Sequence, residues 1–341
     1  MASLREFSKM AGVSTATVSR VFSKPDTVAP DTRDRLLKLA DRMGFRPSAV
    51  GRVAFGGRTR SVGVLLPSLT VSHFAQIAMG LQNRFLEDDH LPMILQHDGI
   101  DAQRAVRRLV DHKVDAMILN LIHEGFTSHD FEDVIKSGLP VVTLDMVRAG
   151  LPYDSVASDD LMGGRLVAEH LLDLGHRHFG FVYFGAGHSS ADVRLQGFRQ
   201  AISERGVALT DQQIVRLDSQ YEDREQRLVA DLIHMLQRPD RPTAIFASTD
   251  YLALSVYEAA RSLKIKIPRD LSVIGYANLN FSTSIDPPLT SVSQNGYQIG
   301  TEAARLVLKR LEHPKGQSIN VLIPTALVLR HSTAPPRHVS Q

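Results

Sequence analysis

Thr15, Ala16, Thr17 and Arg20 lie in the run Gly12-Val13-Ser14-Thr15-Ala16-Thr17-Val18-Ser19-Arg20-Val21-Phe22. Small and hydroxyl side chains beside an arginine at helical spacing suit one chemistry above others. Hydroxyls bond phosphate oxygens, and a guanidinium can read a base edge with two hydrogen bonds. Thr15, Ala16 and Arg20 are the candidates for base edges; Thr17 and Ser19 are candidates for phosphate contacts or helix packing. Other groupings promise less. Asp159-Asp160 offers paired carboxylates, but adjacent residues point different ways and no nucleophile motif accompanies them. His170, His176 and His178 cluster around a helix end with no Cys or second acidic ligand at metal spacing, so structural or solvent roles are expected and no metal. No P-loop or G-x-G-x-x-G follows a strand, so a nucleotide enzyme has no motif support and no cofactor is expected.

The elements that must hold the first group can be read around it. Ser3-Leu4-Arg5-Glu6 has the form of a capping box. Leu4, Phe7 and Ala11 recur at helical spacing, and Gly12 can take the positive φ of a tight turn. Ser14 then caps a second helix, whose Val18 and Val21 pack back on the first. Pro30 suits the first turn of a third helix, although Ala29 stands where a capping side chain would help. Leu36, Leu37, Leu39, Ala40 and Met43 form its apolar stripe. Two short helices joined by a Gly turn describe a helix-turn-helix able to enter a major groove. The charge agrees: 12 of the chain's 39 Lys and Arg but 5 of its 37 Asp and Glu fall in residues 1–60, a net of +7, leaving −5 elsewhere. A basic head on a mildly acidic body is the footprint of phosphate binding confined to one module.

At 341 residues the chain has room for two or three domains. It has no Cys and no Trp, so neither a disulfide framework nor an aromatic platform for single-stranded nucleic acid is indicated. The Met-Ala-Ser-Leu-Arg start and the lack of a long apolar run imply a cytoplasmic protein without a membrane segment. From Ser61 onward short apolar strands alternate with helices. Strands are expected at 61–66, 93–96, 114–120 and 140–144, with helices at 74–86, 103–111 and 131–136. After Asp160 the alternation restarts with strands at 179–184, 214–217, 243–247 and 271–276 and helices at 161–174, 193–205, 224–236 and 251–263. Alternation of this kind implies parallel sheets covered by helices, with ligands beyond the strands' carboxyl ends. Two such runs make two lobes.

Ala11-Gly12-Val13-Ser14, Ala16-Thr17-Val18-Ser19-Arg20-Val21, Thr32-Arg33-x-Arg35 and Gly44-Phe45-Arg46-Pro47-Ser48-Ala49-Val50 together resemble the head of the lactose-repressor/galactose-repressor (LacI/GalR) family. The resemblance continues through Leu166–Gly175-His176-Arg177-His178, Ser272–Tyr276 and Pro288–Val292, covering nearly the whole chain. It implies an α/β protein with an all-α, lambda-repressor-like helix-turn-helix head on a two-lobed, periplasmic-binding-protein-like body with parallel sheets. The expected division is residues 1–45 as DNA-binding head, 46–60 as hinge and 61–341 as effector-binding and dimerisation domain. Within the last, lobe 1 takes about 61–160 and 292–320, and lobe 2 about 161–291 and 321–331. Crossings between lobes are expected near Ser158–Leu161, Leu289–Val292 and Asn320–Ile323. The family's hinge becomes a short helix on operator DNA, with a Leu wedged into the minor groove; Pro47 fits its first turn and Ser48 is a candidate DNA contact. Here Gly51 replaces an Ala and Ala54 stands at the Leu position. Val53 or Phe55 could supply the wedge, or Phe55 could pack on the body. No leucine heptads follow His331, so a homodimer is the default, its surface along Phe74 to Leu86.

The resemblance also marks an effector cleft. His73 stands where the family usually has an aromatic residue facing ligand, with Phe74 beside it as core. Arg194 matches an arginine that usually touches effector, its competing role being an interlobe salt bridge. Asp250 matches a second-lobe ligand position, and Asp145 and Asp160 lie near the crossing. Sugar-binding members normally carry an Asp where Ala277 stands, followed here by Asn278. Loss of that carboxylate beside a retained Arg194 favours an anionic effector such as a sugar acid, which a guanidinium can grip through two hydrogen bonds. A neutral sugar or purine nucleoside held by Asn278 or Asp250 is the alternative. The whole implies a transcriptional repressor of carbohydrate or sugar-acid catabolism genes, bound to double-stranded operator DNA and controlled by a small molecule. A solute-binding protein would use the same lobes but has no need of a basic head, and an enzyme lacks a motif.

Overall fold

The first helix begins where a hydroxyl can cap it. The computed structural model describes residues 3–23, 25–45, 58–96, 102–120, 134, 138–145, 153–184, 190–217 and 224–337. Ser3 Oγ accepts from the Glu6 N–H, and the Glu6 carboxylate accepts from the Ser3 N–H at 2.7 Å, closing the capping box of α1 (Leu4–Ala11). Gly12 ends that helix at φ 68°. In α2 (Thr15–Ser23), Ser14 Oγ accepts from the Thr17 N–H at 3.1 Å. α3 (Pro30–Met43) starts at Pro30 with no side-chain cap from Ala29. Phe7, Ala11, Val18, Val21, Leu36 and Ala40 close one small core. Leu37, expected in that core, is 40% exposed. One residue turns a helix by roughly 100°, so Leu37 cannot share the inward face of Leu36 and Ala40. Phe45 takes part instead, stacked on Phe7 with ring centroids 4.2 Å apart.

The body has two six-stranded sheets. The first uses β1 (Ser61–Leu66), β2 (Leu91–Gln96), β3 (Ala116–Asn120), β4 (Val141–Leu144), β5 (Asp154–Ser158) and the late β11 (Asn320–Ile323), in the order β11-β5-β4-β3-β1-β2, all parallel. One face packs on α4 (Ser72–Glu87) and α10 (Gly296–Glu312), the other on α5 (Ala102–Asp111). Although β3 is buried throughout, its side chains alternate between the two cores: Ala116 and Ile118 face one, Met117 and Leu119 the other. The second sheet uses β6 (Phe179–Phe184), β7 (Ile214–Leu217), β8 (Ala244–Ala247), β9 (Ser272–Tyr276), β10 (Thr290–Ser293) and β12 (Ala326–Val328), in the order β12-β10-β9-β8-β6-β7. α6 (Asp160–Asp173), α7 (Ser190–Glu204), α8 (Arg224–Gln237) and α9 (Asp250–Ser262) cover its faces.

Three details differ from the sequence reading. β5 was not expected, because Asp-Ser-Val-Ala-Ser has little apolar content; its burial rests on Arg310, which grips Asp154 with two hydrogen bonds of 2.7 Å. β12 runs antiparallel to β10, an exception to the parallel sheets, because it returns directly from β11 through a short crossing. The crossings themselves shift. β10 belongs to the second sheet and β11 to the first, so the chain passes between lobes at residues 294–295 and 324–325, not within Leu289–Val292 or Asn320–Ile323. The hinge residues Ser48, Val53, Ala54 and Phe55 and the helix expected at 131–136 lie outside the described residues, Val134 excepted.

Candidate functional site

The head presents one polar helix face. With Val18 and Val21 buried against α1 and α3, Ala16 and Arg20 point to solvent and Thr15 and Thr17 are half-buried. Thr17 Oγ1 lies 2.9 Å from Ser14 Oγ, so its hydroxyl shares the helix cap. Among the described residues Arg20 Nε makes a long 3.4 Å contact to the Ala16 carbonyl, and no contact of its outer nitrogens is seen there. Ser19 is 6% exposed, which fits the packing role of the two proposed for it.

The second site forms where strand ends of the first lobe converge. His73 opens α4 after β1, Asn120 ends β3, and Asp145 follows β4 with φ 56°. Asn120 Nδ2 donates to Asp145 Oδ2 at 2.7 Å. His73 Nε2 stands 3.7 Å from the same oxygen, too far for a hydrogen bond. His73 Nε2 and Asp145 Oδ1 are buried without a hydrogen-bond partner among the described residues. A buried polar atom of this kind is costly unless something satisfies it. Phe74 packs on the lobe core, edge-on to His73 at 5.2 Å.

The second lobe brings Arg194 to the same region. α6 and α7 touch backbone to backbone: a Cβ on Gly164 would lie 2.0 Å from the Arg194 carbonyl, so only glycine permits that approach. Arg194 Nε donates to Asp160 Oδ1 at 2.9 Å, Nη1 donates to the Ser248 carbonyl at 2.7 Å, and the guanidinium lies 3.9 Å from the Tyr276 ring centroid. Burial opposes its charge, but Asp160, with help from Tyr276 and Asp145, outweighs that and holds the guanidinium above its ordinary pKa. The salt bridge is therefore present, but it joins α7 to the first residue of α6 within the second lobe and does not cross between lobes; Arg194 retains further N–H donors on its fork. Ser158 Oγ also donates to Asp160 Oδ1, and Gln294 Nε2 donates to Ser158 Oγ at 3.0 Å, linking the pair to two crossing strands. The lobes touch across the cleft where the Asn280 N–H donates to Ser72 Oγ and Ser190 Oγ to the Asp145 carbonyl, each at 3.3 Å.

Asp250 is not at this surface. It is fully buried at the start of α9, and its oxygens accept from the Leu279 N–H, Ser282 Oγ and Ser291 Oγ at 2.6–2.7 Å. Burial pushes its carboxyl pKa up despite those donors. Its acceptors are used within its own lobe, so it pins the 279–282 turn and leaves no oxygen for a ligand. Ala277 and Asn278 follow β9 with φ 98° and 49°. Asn278 Oδ1 accepts from Arg330 Nη2 at 2.6 Å, which narrows what the side chain can offer a ligand. Asn120 escaped the sequence reading; its signal was a carboxamide ending an apolar strand. His176 is buried and bonded to Thr243, Ser272 and the Ala334 carbonyl, and His170 to Thr333. Among the described residues no group of three or more metal-ligating side chains converges, and no helix is long and apolar enough to cross a membrane.

Known proteins share this plan. Residues 3–48 match the model described as bacterial regulatory proteins, lacI family, and residues 168–333 match a periplasmic binding protein-like domain. The ribose operon repressor of Haemophilus influenzae is 29% identical over 335 residues, 97% of this chain and 98% of its own. The transcriptional repressor PurR of Mannheimia succiniciproducens is 30% identical over 336 residues, 97% and 98% of the two chains. Among solved structures, a complex of the transcriptional regulator CelR with cellobiose superposes with TM-score 0.71 at 25% identity, covering 97% of this chain and 100% of that one. A lac repressor dimer bound to operator and an anti-inducer reaches TM-score 0.77 at 24% identity, over 98% and 99%, a likeness of fold. Identity of 30% sustained over nearly every residue is a relation of family: the protein belongs to the lacI family of bacterial regulatory proteins, DNA-binding regulators of transcription.

Proposed function

We propose that the chain is a cytoplasmic, homodimeric repressor that reads a near-palindromic operator and is controlled by a small hydroxylated acid, such as a sugar acid, bound between its lobes. Residues 1–45 read DNA, 46–60 tether the head, and 61–341 bind effector and dimerise. The observation that carries the DNA reading is the exposed face of α2, with Ala16 and Arg20 outward, on a head and tether (residues 1–60) of net charge +7. Dimerisation along α4 is supported by Met79 and Leu86, which are 57% and 56% exposed there. The effector reading rests on buried polar groups of complementary kind: Asp145 Oδ1 can accept from a ligand hydroxyl, and Arg194 can grip a carboxylate. Ala277 adds no charge to oppose an acid.

The DNA arm is tested with palindromes selected from random duplex by the full-length protein. Arg20→Ala is expected to cost about 1–3 kcal/mol and to relax preference at one base position. Equal weakening on every sequence would make Arg20 a phosphate contact. The effector arm is a thermal-shift screen of sugars, their acids and purine nucleosides, since a ligand at 100 times its Kd adds roughly 2.7 kcal/mol of stability. Shifts with neutral sugars but not with the matching acids would sink the anionic reading.

A further inference from the structure

Where the tether meets the body, residues 58–61 are held far more firmly than strand pairing requires. The ladder supplies Leu91 N–H to the Arg60 carbonyl and Asp115 N–H to the Ser61 carbonyl, each at 2.8 Å. Beyond it, the Asp115 carboxylate accepts from two successive backbone donors, Thr59 N–H at 3.1 Å and Arg60 N–H at 2.6 Å. Thr59 is 8% exposed, and its Oγ1 donates to the Lys113 carbonyl at 3.1 Å. Arg58 Nη2 donates at 2.6 Å to the carbonyl of Leu311, in the last turn of α10, where carbonyls lack helical partners. Arg60 takes φ 57°, a left-handed conformation that a side chain adopts only when its surroundings impose it, and its guanidinium pairs with Asp89.

None of these contacts is needed to start β1. Together they bend the backbone at Arg60 and fix the direction in which the chain enters from the head. We propose that Asp115 and Arg58 are positioning residues for operator recognition, setting the half-site spacing that the dimer accepts. The inference rests on the dimeric, operator-reading function proposed above. Half-sites one turn apart face the same side of the duplex, and each added base pair rotates one head by about 35° relative to the other. A chain loose at its root could follow that rotation; one clamped at residues 58–61 cannot.

The test uses full-length protein and the palindromes selected by the wild type. Affinity is measured for the selected site and for versions with the central spacer lengthened by one or two base pairs. The wild type is expected to lose on the order of 100-fold, within the gap between specific and non-specific binding. Asp115→Ala and Arg58→Ala are each expected to shrink that loss about tenfold, while a base change inside a half-site costs them the same as wild type within about twofold. Thr59→Val, which keeps the side chain's shape but removes its Oγ1 bond to the Lys113 carbonyl, loosens the same root should Asp115→Ala fold poorly. Variants that keep the wild-type spacing penalty, or lose half-site discrimination to the same degree, overturn the proposal. A wild type that selects no palindrome fails the operator reading instead.

Discussion

Arg194 and Asp160 form a buried ion pair, Nε to Oδ1 at 2.9 Å, with 8% and 9% of their side chains exposed. Removing one partner of such a pair strands the other charge, at a cost of about 3–5 kcal/mol. Arg194→Ala is therefore expected to destabilise the body by that amount in urea unfolding, and the Arg194→Ala, Asp160→Ala double variant to recover much of the loss. If the double variant is as unstable as the sum of the singles, the two side chains do not act as a pair.

The head should be easy to stabilise at one position. Ala29 precedes α3 with φ −53° and ψ 135° and offers no side-chain acceptor. Ala29→Ser supplies one, and an N-cap hydroxyl is typically worth about 1 kcal/mol. Melting of the head should rise accordingly, and amide exchange in the first turn of α3 should slow. Unchanged exchange there would show that the end is not frayed.

Acid should weaken the second lobe. Burial first, and the neighbouring charges of His170 and Arg177 after it, pull the His176 pKa below the ordinary imidazole value against the pull of the Ala334 carbonyl. The unfolded chain therefore takes up the proton first as pH falls. Stability is complete above about pH 6.5 and declines as pH drops toward the lowered folded value. Burial lowers His170 likewise, against the charge of Asp173. Unfolding free energy is expected to fall as pH drops below about 6.5, and a His176→Gln variant to lose part of that dependence. Equal pH dependence in both proteins would exclude His176 as a source.

α4 and α10 meet with their backbones in contact. A Cβ on Gly300 would lie 2.1 Å from the Ile77 carbonyl, and one on Gly80 the same distance from the Tyr297 carbonyl. Gly300→Ala must push the helices apart, and overpacking of this kind costs about 1–3 kcal/mol. A lowered melting temperature checks it; a stabilised variant would mean the pair is looser than its geometry.

Much of this was legible in advance, for identifiable reasons. The capping box at Ser3 and Glu6, the turn at Gly12 and the inward Val18 and Val21 follow from local rules that tertiary contacts do not override. Strands such as Val62–Leu66 announce themselves because burial on both faces demands apolar runs. What stayed hidden depended on partners distant in sequence. Asp154 makes a buried strand only because Arg310 neutralises it from 156 residues away. Asp250 sits in a sequence position that suggests a ligand contact, yet Ser282 and Ser291 enclose it from later turns. α10 went unread although its apolar spacing is regular, and β11 and β12 are too short to declare themselves. At the cleft, His73 and Asp145 meet as far as 3.7 Å allows, while Asn278 turns to Arg330.

α10 begins at Gly296, where an added Cβ would come 2.8 Å from the His73 carbonyl, and the carbonyl of Leu311 near its other end receives Arg58. Between them lies about 22 Å of unbroken helix, at 1.5 Å per residue. Locked along one flank to α4, it has no soft joint at which a movement could dissipate. The start of α4, where His73 sits, and the residue that holds Arg58 are thereby joined by one stiff element.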